Sequence, residues 1–348
     1  MASHRISLFS PSLSSPVNLP LLPRNLNSPL RFSFHYHSKP PSPSINRLPK
    51  ATPCRGLLYE LSFSNRFRRR ISAVISEESD GTSRPSLIAD DFKLTYLEGN
   101  SWLWEIDGVK ILVDPILVGN LDFNIPWLYN ASKKHLKELK ITDIPPVDMI
   151  LITQSLDDHC HVKTLTPISQ LMPKVKVLAT PNAESLISPL FSNVTYLEPG
   201  EVFGDEKGVT IKATAGPVLG PPWQRPENGY LVRSAGGGAV YYEPHCVYDE
   251  EGLAGETADV VITPVIKQLL PGLTLVSGQE DAVRLAKTLQ ARVVVPMKNG
   301  DLDSEGVLAK VIRSEGTVES FIELLGKEVP ETRVLVPVPG VALQFSVI

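Results

Sequence analysis

The sequence predicts an α+β domain in which two β-sheets lie back to back with helices packed outside them. Three observations point there. From residue 92 onward the chain is a succession of short β-rich runs separated by turns, and strands outnumber helices. The run 147–153 is apolar on both faces, as a central strand covered on each side must be. Two amphipathic stretches in the last third supply helices, each with one apolar face to lay against a sheet. No repeat and no linker interrupts residues 92–348, so these elements are expected to form one domain.

In chain order, runs 93–98, 102–106 and 110–113 predict three strands in quick succession. Asp107-Gly108 supplies the two residues a tight hairpin needs between the last two. Runs 174–178, 209–214, 230–232 and 239–242 predict further strands. Gly236-Gly237-Gly238 has no helix after it, so it predicts a hairpin turn rather than a phosphate loop. A strand at 260–263 is followed by Ser277-Gly278-Gln279-Glu280, which predicts a capping box opening a helix to Leu289. Ala282, Leu285, Ala286 and Leu289 share one face of it. Another strand is expected at 292–296. Val318, Phe321, Ile322 and Leu325 recur at helical spacing, predicting a helix from Thr317 that stops at Gly326, and two strands close the chain.

Hydrophobic residues make up 42% of the 348, enough for a proper core, so disorder of the whole chain is excluded. No apolar run approaches the ~20 residues of a membrane helix, so no integral membrane association is expected. The net charge of −4 averages two unlike parts. Residues 1–75 hold eleven Lys and Arg against the single acid Glu60, leaving 23 basic and 37 acidic groups, a net −14, for the rest. That tail also carries ten Pro and fourteen Ser, and prolines at this density forbid helix. It reads as a transit peptide, disordered, with a chloroplast-type processing site in Arg68-Arg69-Arg70-Ile71-Ser72-Ala73-Val74. Cleavage near residue 73 leaves a flexible leader over 76–91 and places the mature protein in the chloroplast stroma. The acidic body repels phosphate backbones, which excludes nucleic acid as a partner. Of three cysteines, Cys54 leaves with the tail, and Cys160 and Cys246 fit a reducing compartment.

Chemistry concentrates at two places. Asp158-His159-Cys160-His161 follows the buried strand 147–153, and Glu243-Pro244-His245-Cys246 follows the strand 239–242. Both lie at the C-terminal ends of apolar strands, where loops carry function, and imidazole, carboxylate and thiolate are the ligand set of zinc. The plainer alternative is that Asp158 caps a following helix. His135, in Lys133-Lys134-His135-Leu136-Lys137, reads as part of a solvated basic helical face.

Gly99-Asn100-Ser101, the strand ending in Val113-Asp114-Pro115, Ile150-Leu151-Ile152-Thr153 leading to Asp158-His159, and Gln279-Glu280-Asp281-Ala282 leading to Val295-Pro296-Met297-Lys298 together resemble the metallo-β-lactamase fold. The likeness is to its ascorbate-phosphate-lactonase-like branch and covers about residues 92–305. It implies an αββα sandwich with a metal site at one edge of the two sheets. The family motif Thr-His-x-His-x-Asp-His reads here Thr153-Gln154-Ser155-Leu156-Asp157-Asp158-His159, so two ligands of the first metal are replaced. The third, after the strand 209–214, has no histidine counterpart in 215–220, and the last histidine of the second site is Lys298.

The resemblance therefore leaves three readings. In one, Asp158, His159 and His245, with Glu243 or His161 assisting, hold one Zn or Fe ion, and the protein hydrolyses a small ester, lactone or phosphoester. In the second, no metal is bound, and Lys298 pairs with Asp158 while His159 or His245 acts as acid or base. In the third, the cleft is not catalytic and binds a small-molecule ligand or a partner. Asp114 is expected to orient His159, with Gln154 beside it. Trp223 and Arg225 would wall and clamp a substrate, or Trp223 would plug the emptied metal cavity. Residues 121–129 would form a rim over the site or a dimer contact, and no oligomeric state follows from the sequence.

Overall fold

The computed structural model describes residues 90–219, 223–298 and 302–347. The expected transit peptide lies outside the described residues, as does most of the leader. Among those residues the main strands form two seven-stranded sheets. The first is built from β1 (Asp90–Tyr96), β2 (Trp102–Ile106), β3 (Val109–Val113), β4 (Met149–Ile152), β5 (Lys176–Ala179), β6 (Val194–Tyr196) and the C-terminal β14 (Ala342–Val347). Its order is β14-β1-β2-β3-β4-β5-β6. The second contains β7 (Val202–Gly204), β8 (Thr210–Ala215), β9 (Asn228–Arg233), β10 (Ala239–Tyr242), β11 (Val260–Pro264), β12 (Val293–Met297) and β13 (Arg333–Val334). It runs β13-β12-β11-β10-β9-β8-β7. Each sheet is antiparallel in one half and parallel in the other.

Side-chain alternation explains the layers. Phe92, Leu94, Trp102 and Trp104 of the first sheet meet Ile211, Tyr230, Val240 and Ile262 of the second in one core between the sheets. Helix α1 (Val162–Leu171) covers the outer face of the first sheet, burying Leu165 and Ile168 against Ile150, Ile152 and Val177. Helices α2 (Gln279–Thr288) and α3 (Val318–Glu328) cover the second, with Leu285 and Phe321 against Val261 and Val294. The result is the expected helix–sheet–sheet–helix sandwich. No helix of the described residues is long and apolar enough to cross a membrane.

Local chemistry accounts for most element ends. Asp107 and Gly108 both take positive φ, +49° and +74°, which turns β2 into β3. The triple glycine makes the hairpin between β9 and β10, with Ser234 N–H donating to the Gly238 carbonyl at 2.8 Å. Three expectations are corrected. The capping box at Ser277–Glu280 does not form, because Ser277 N–H is drawn 2.9 Å onto the His245 carbonyl and Gly278 becomes the N-cap. A reciprocal cap forms on α3 instead, between Thr317 and Ser320. Helix α3 runs through Gly326 to Glu328. The basic stretch 133–137 is turn, not helix: Glu98 draws three consecutive backbone N–H groups away from helical bonding, those of Lys134 (3.0 Å), His135 (2.9 Å) and Leu136 (2.8 Å).

Candidate functional site

The parallel pairing of β3 with β4 places the residues just beyond their C-terminal ends side by side. Asp114 N–H donates to the Leu151 carbonyl at 3.0 Å, and the buried Asp114 carboxylate accepts from Thr153 N–H (2.8 Å) and Thr153 Oγ1 (2.5 Å). Asp114 holds φ at +40°, a strained value for a non-glycine residue that these bonds sustain. The turn after β4 then returns the chain so that His159 Nδ1 sits 2.9 Å from Asp114 Oδ2.

On the other side of the ring, Nε2 lies 3.3 Å from Asp158 Oδ2. A carboxylate therefore faces each nitrogen of a fully buried imidazole. Burial opposes a charge on His159, but Asp158 and Asp114 outweigh it and push the ring up to about 10. His159 in turn holds Asp158 below the usual carboxylate range despite burial. Asn100 closes this centre. Its Nδ2 donates to the Asp158 carbonyl at 3.1 Å and stands 3.1 Å from His159 Nε2, while Tyr242 Oη of the opposite sheet donates to the Asn100 carbonyl at 3.0 Å.

The second cluster arrives from β10. His245 lies beside His159, with ring centroids 5.5 Å apart and the planes tilted by 40°. Gln154 Nε2 reaches His245 Nδ1 at 2.6 Å, so that nitrogen accepts and Nε2 carries the proton. Burial first, and the cationic His159 second, lower His245 to about 4, which leaves it neutral. Glu243 uses Oε2 to accept from His245 N–H (3.0 Å) and Val247 N–H (2.7 Å), and burial pushes its carboxyl up to about 8.

The other expected site residues lie elsewhere. His161 is the residue before α1; its Nδ1 meets Thr164 Oγ1 at 2.8 Å and its charged neighbours are Asp157 and Lys163, so it does not join the His159–His245 pair. Lys298 is exposed and forms no ion pair with Asp158; it lines a separate cavity with Tyr96, Lys134 and His135. Trp223 is 85% exposed and plugs nothing. Arg225 pairs with Glu198 at 3.1 Å instead of standing free as a clamp. Cys160 and Cys246 are each buried in a different outer apolar cluster, with burial pushing Cys160 up to about 12 and raising Cys246 as well.

Sequence reasoning missed Asn100, Thr153 and Glu227 as members of the polar cluster. Glu227, buried beside β9, accepts from Ser155 Oγ at 2.6 Å and fastens the loop that carries Gln154. Gly99-Asn100 at a strand end was the one available signal for Asn100. Thr153 is legible only once β3 and β4 are known to be parallel neighbours.

The metal pair that the family resemblance implies finds no complete ligand set here. Among the described residues no three His, Cys, Asp or Glu side chains converge as a ligand group. Gln154 is committed to His245, Leu156 points to solvent, and the described loop after β8 offers no histidine. The residues present do not fit the pair.

Two mixed sheets packed face to face, helices on both outer faces and Asp–His loops at the C-terminal strand ends define a metallo-hydrolase-type αββα sandwich. The chain belongs to the β-lactamase superfamily: the profile of the β-lactamase superfamily domain matches residues 93–298. Solved structures share the fold at low identity. A metallo hydrolase from the hyperthermophilic archaeon Ignicoccus hospitalis aligns with TM-score 0.54 and 20% identity over 74% of this chain and 100% of its own. An isothiocyanate hydrolase from Delia radicum gut bacteria aligns with TM-score 0.54 and 18% identity over 73% and 100%. CmlA, a diiron β-hydroxylase from Streptomyces venezuelae, aligns with TM-score 0.53 and 17% identity over 76% of this chain and 55% of its own. No curated protein matches the chain significantly.

Proposed function

We propose that this member of the superfamily keeps the cleft of the fold but not its metal pair, and uses it as a metal-independent binding site for a small molecule. One observation carries this reading. Buried His159 has a carboxylate on each side, Asp114 hydrogen-bonded to Nδ1 at 2.9 Å and Asp158 at an ion-pair distance of 3.3 Å from Nε2, which favours a positive charge supplied by the protein itself. Thr153 and Asp114 hold the ring, Asn100 covers its outer nitrogen, and Gln154 sets His245 to present an Nε2–H to a ligand. The Ser-, Pro- and Arg-rich first 75 residues support the chloroplast stroma as the place where it acts.

The second reading is a hydrolase with one Zn or Fe ion, acting on a small ester, lactone or phosphoester. It is favoured by the buried oxygens Asp158 Oδ1, Glu243 Oε1 and Gln154 Oε1, which have no hydrogen-bond partner. Chromogenic nitrophenyl acetate and bis-nitrophenyl phosphate separate the two. The full chain is expected to release no nitrophenol above the buffer rate, with or without added zinc. Turnover that appears with zinc, stops in chelator and is absent from Asp158→Ala would establish the second reading instead.

A further inference from the structure

We propose that the cavity of about 180 Å³ bounded by Tyr96, Lys134, His135, Lys298, Pro337 and Pro339 binds a phosphate oxyanion. Four remote segments build it: the end of β1, the turn after residue 132, the residue following β12, and the stretch leading to β14. Three of its lining side chains, Lys134, His135 and Lys298, carry nitrogens suited to an oxyanion, and among the described residues none of them forms an ion pair.

The frame around these side chains is fixed. Glu98, buried beneath the turn, spends both carboxylate oxygens on the N–H groups of residues 134–136, which points that backbone in one direction. Lys133 Nζ donates to the Leu97 carbonyl in the same turn. Gly340 N–H donates to the Tyr96 carbonyl at 2.8 Å and pins the proline wall against β1. Prolines have no N–H, so the donors at this site are side chains, chiefly the two ammonium groups, which bind phosphate as point charges. Among the described residues, Glu98, committed to amides, stands near, as does exposed Glu319, whose carboxyl is lowered chiefly by local hydrogen bonds and also by Lys298. The volume is several times the ~30 Å³ of a water, enough for a tetrahedral oxyanion and the first atoms of an ester substituent.

The cavity adjoins the polar centre through two consecutive residues. Tyr96 Oη donates to the Gly99 carbonyl at 3.1 Å, and Asn100 is the residue beside His159 Nε2. The site does not depend on whether that centre holds a metal, because none of its lining residues belongs to it.

Calorimetric titration of the full chain with inorganic phosphate, at fixed ionic strength, tests the assignment. Saturable binding is expected, weakened about tenfold by Lys298→Met and by Lys134→Met, as loss of one charge-assisted contact predicts, and largely kept in Lys298→Arg. Methyl phosphate separates the sources: binding of both probes marks the head group of a phosphorylated small molecule, and binding of phosphate alone marks the free anion. Absence of saturable binding overturns the proposal. So does binding unchanged in the Lys134→Met/Lys298→Met double variant, since the eleven Lys and Arg of residues 1–75 remain in every variant and would then be its source. Both lysines are exposed, and circular dichroism of each variant confirms that it folds.

Discussion

Replacing Asp114 by alanine is expected to destabilise the protein by about 3–5 kcal/mol, read as a lower denaturant midpoint. The carboxylate is buried, and it serves Thr153 N–H, Thr153 Oγ1 and His159 Nδ1 at once. Its loss leaves a buried imidazolium with only Asp158 to balance it and a backbone N–H with no acceptor. The alanine would also have to hold the +40° φ of this position without the bonds that sustain it. Alkaline pH weakens the same centre. His159 binds its proton more tightly when folded, at about 10, than at its ordinary 6.5. Its stabilisation is therefore complete below about pH 6.5 and disappears as pH rises through about 10. Glu243, pushed up to about 8 from 4.5, acts in the same direction over a lower range. Denaturation midpoints should fall from neutral pH toward about pH 10, and the fall should flatten in Asp114→Asn.

Glu98→Ala is expected to cost about 3 kcal/mol, since hydrogen bonds to a charged group contribute roughly 1.5–3 kcal/mol each and water can replace part of the set. The three N–H groups it serves belong to consecutive residues of one exposed turn. Releasing them should raise amide hydrogen exchange at 134–136 specifically, while Glu98→Gln keeps an acceptor and falls between. Phosphate affinity should drop in the alanine variant, because the turn that aims Lys134 and His135 is no longer fixed. Unchanged exchange at these amides would show that the turn is held by something else.

The layers of the fold were legible because they rest on local pattern: uninterrupted apolarity in β4, the Asp107-Gly108 turn, and helical spacing in α2 and α3. The two polar clusters were legible for a related reason, since Asp158-His159 and Glu243-Pro244-His245 each follow an apolar strand. What remained hidden depends on partners distant in sequence. Lys133 to Lys137 has helical character by itself, and only Glu98, some 36 residues earlier, makes it a turn. That turn brings Lys134 and His135 to the same cavity as Lys298, which forms no ion pair with Asp158. Ser277 has capping chemistry, yet its N–H is claimed by the His245 carbonyl across the fold. Trp223 and Arg225 have binding chemistry, but one faces solvent and the other meets Glu198.

In the proposed metal-free site, the His159 imidazolium between Asp114 and Asp158 supplies the charge that a metal would bring. Elemental analysis of the full chain, purified without a metal-binding tag, measures this directly. No zinc or iron above background is expected, with a denaturation midpoint that chelator leaves unchanged. About one equivalent of zinc or iron, lost in Asp158→Ala or His245→Ala, would contradict it.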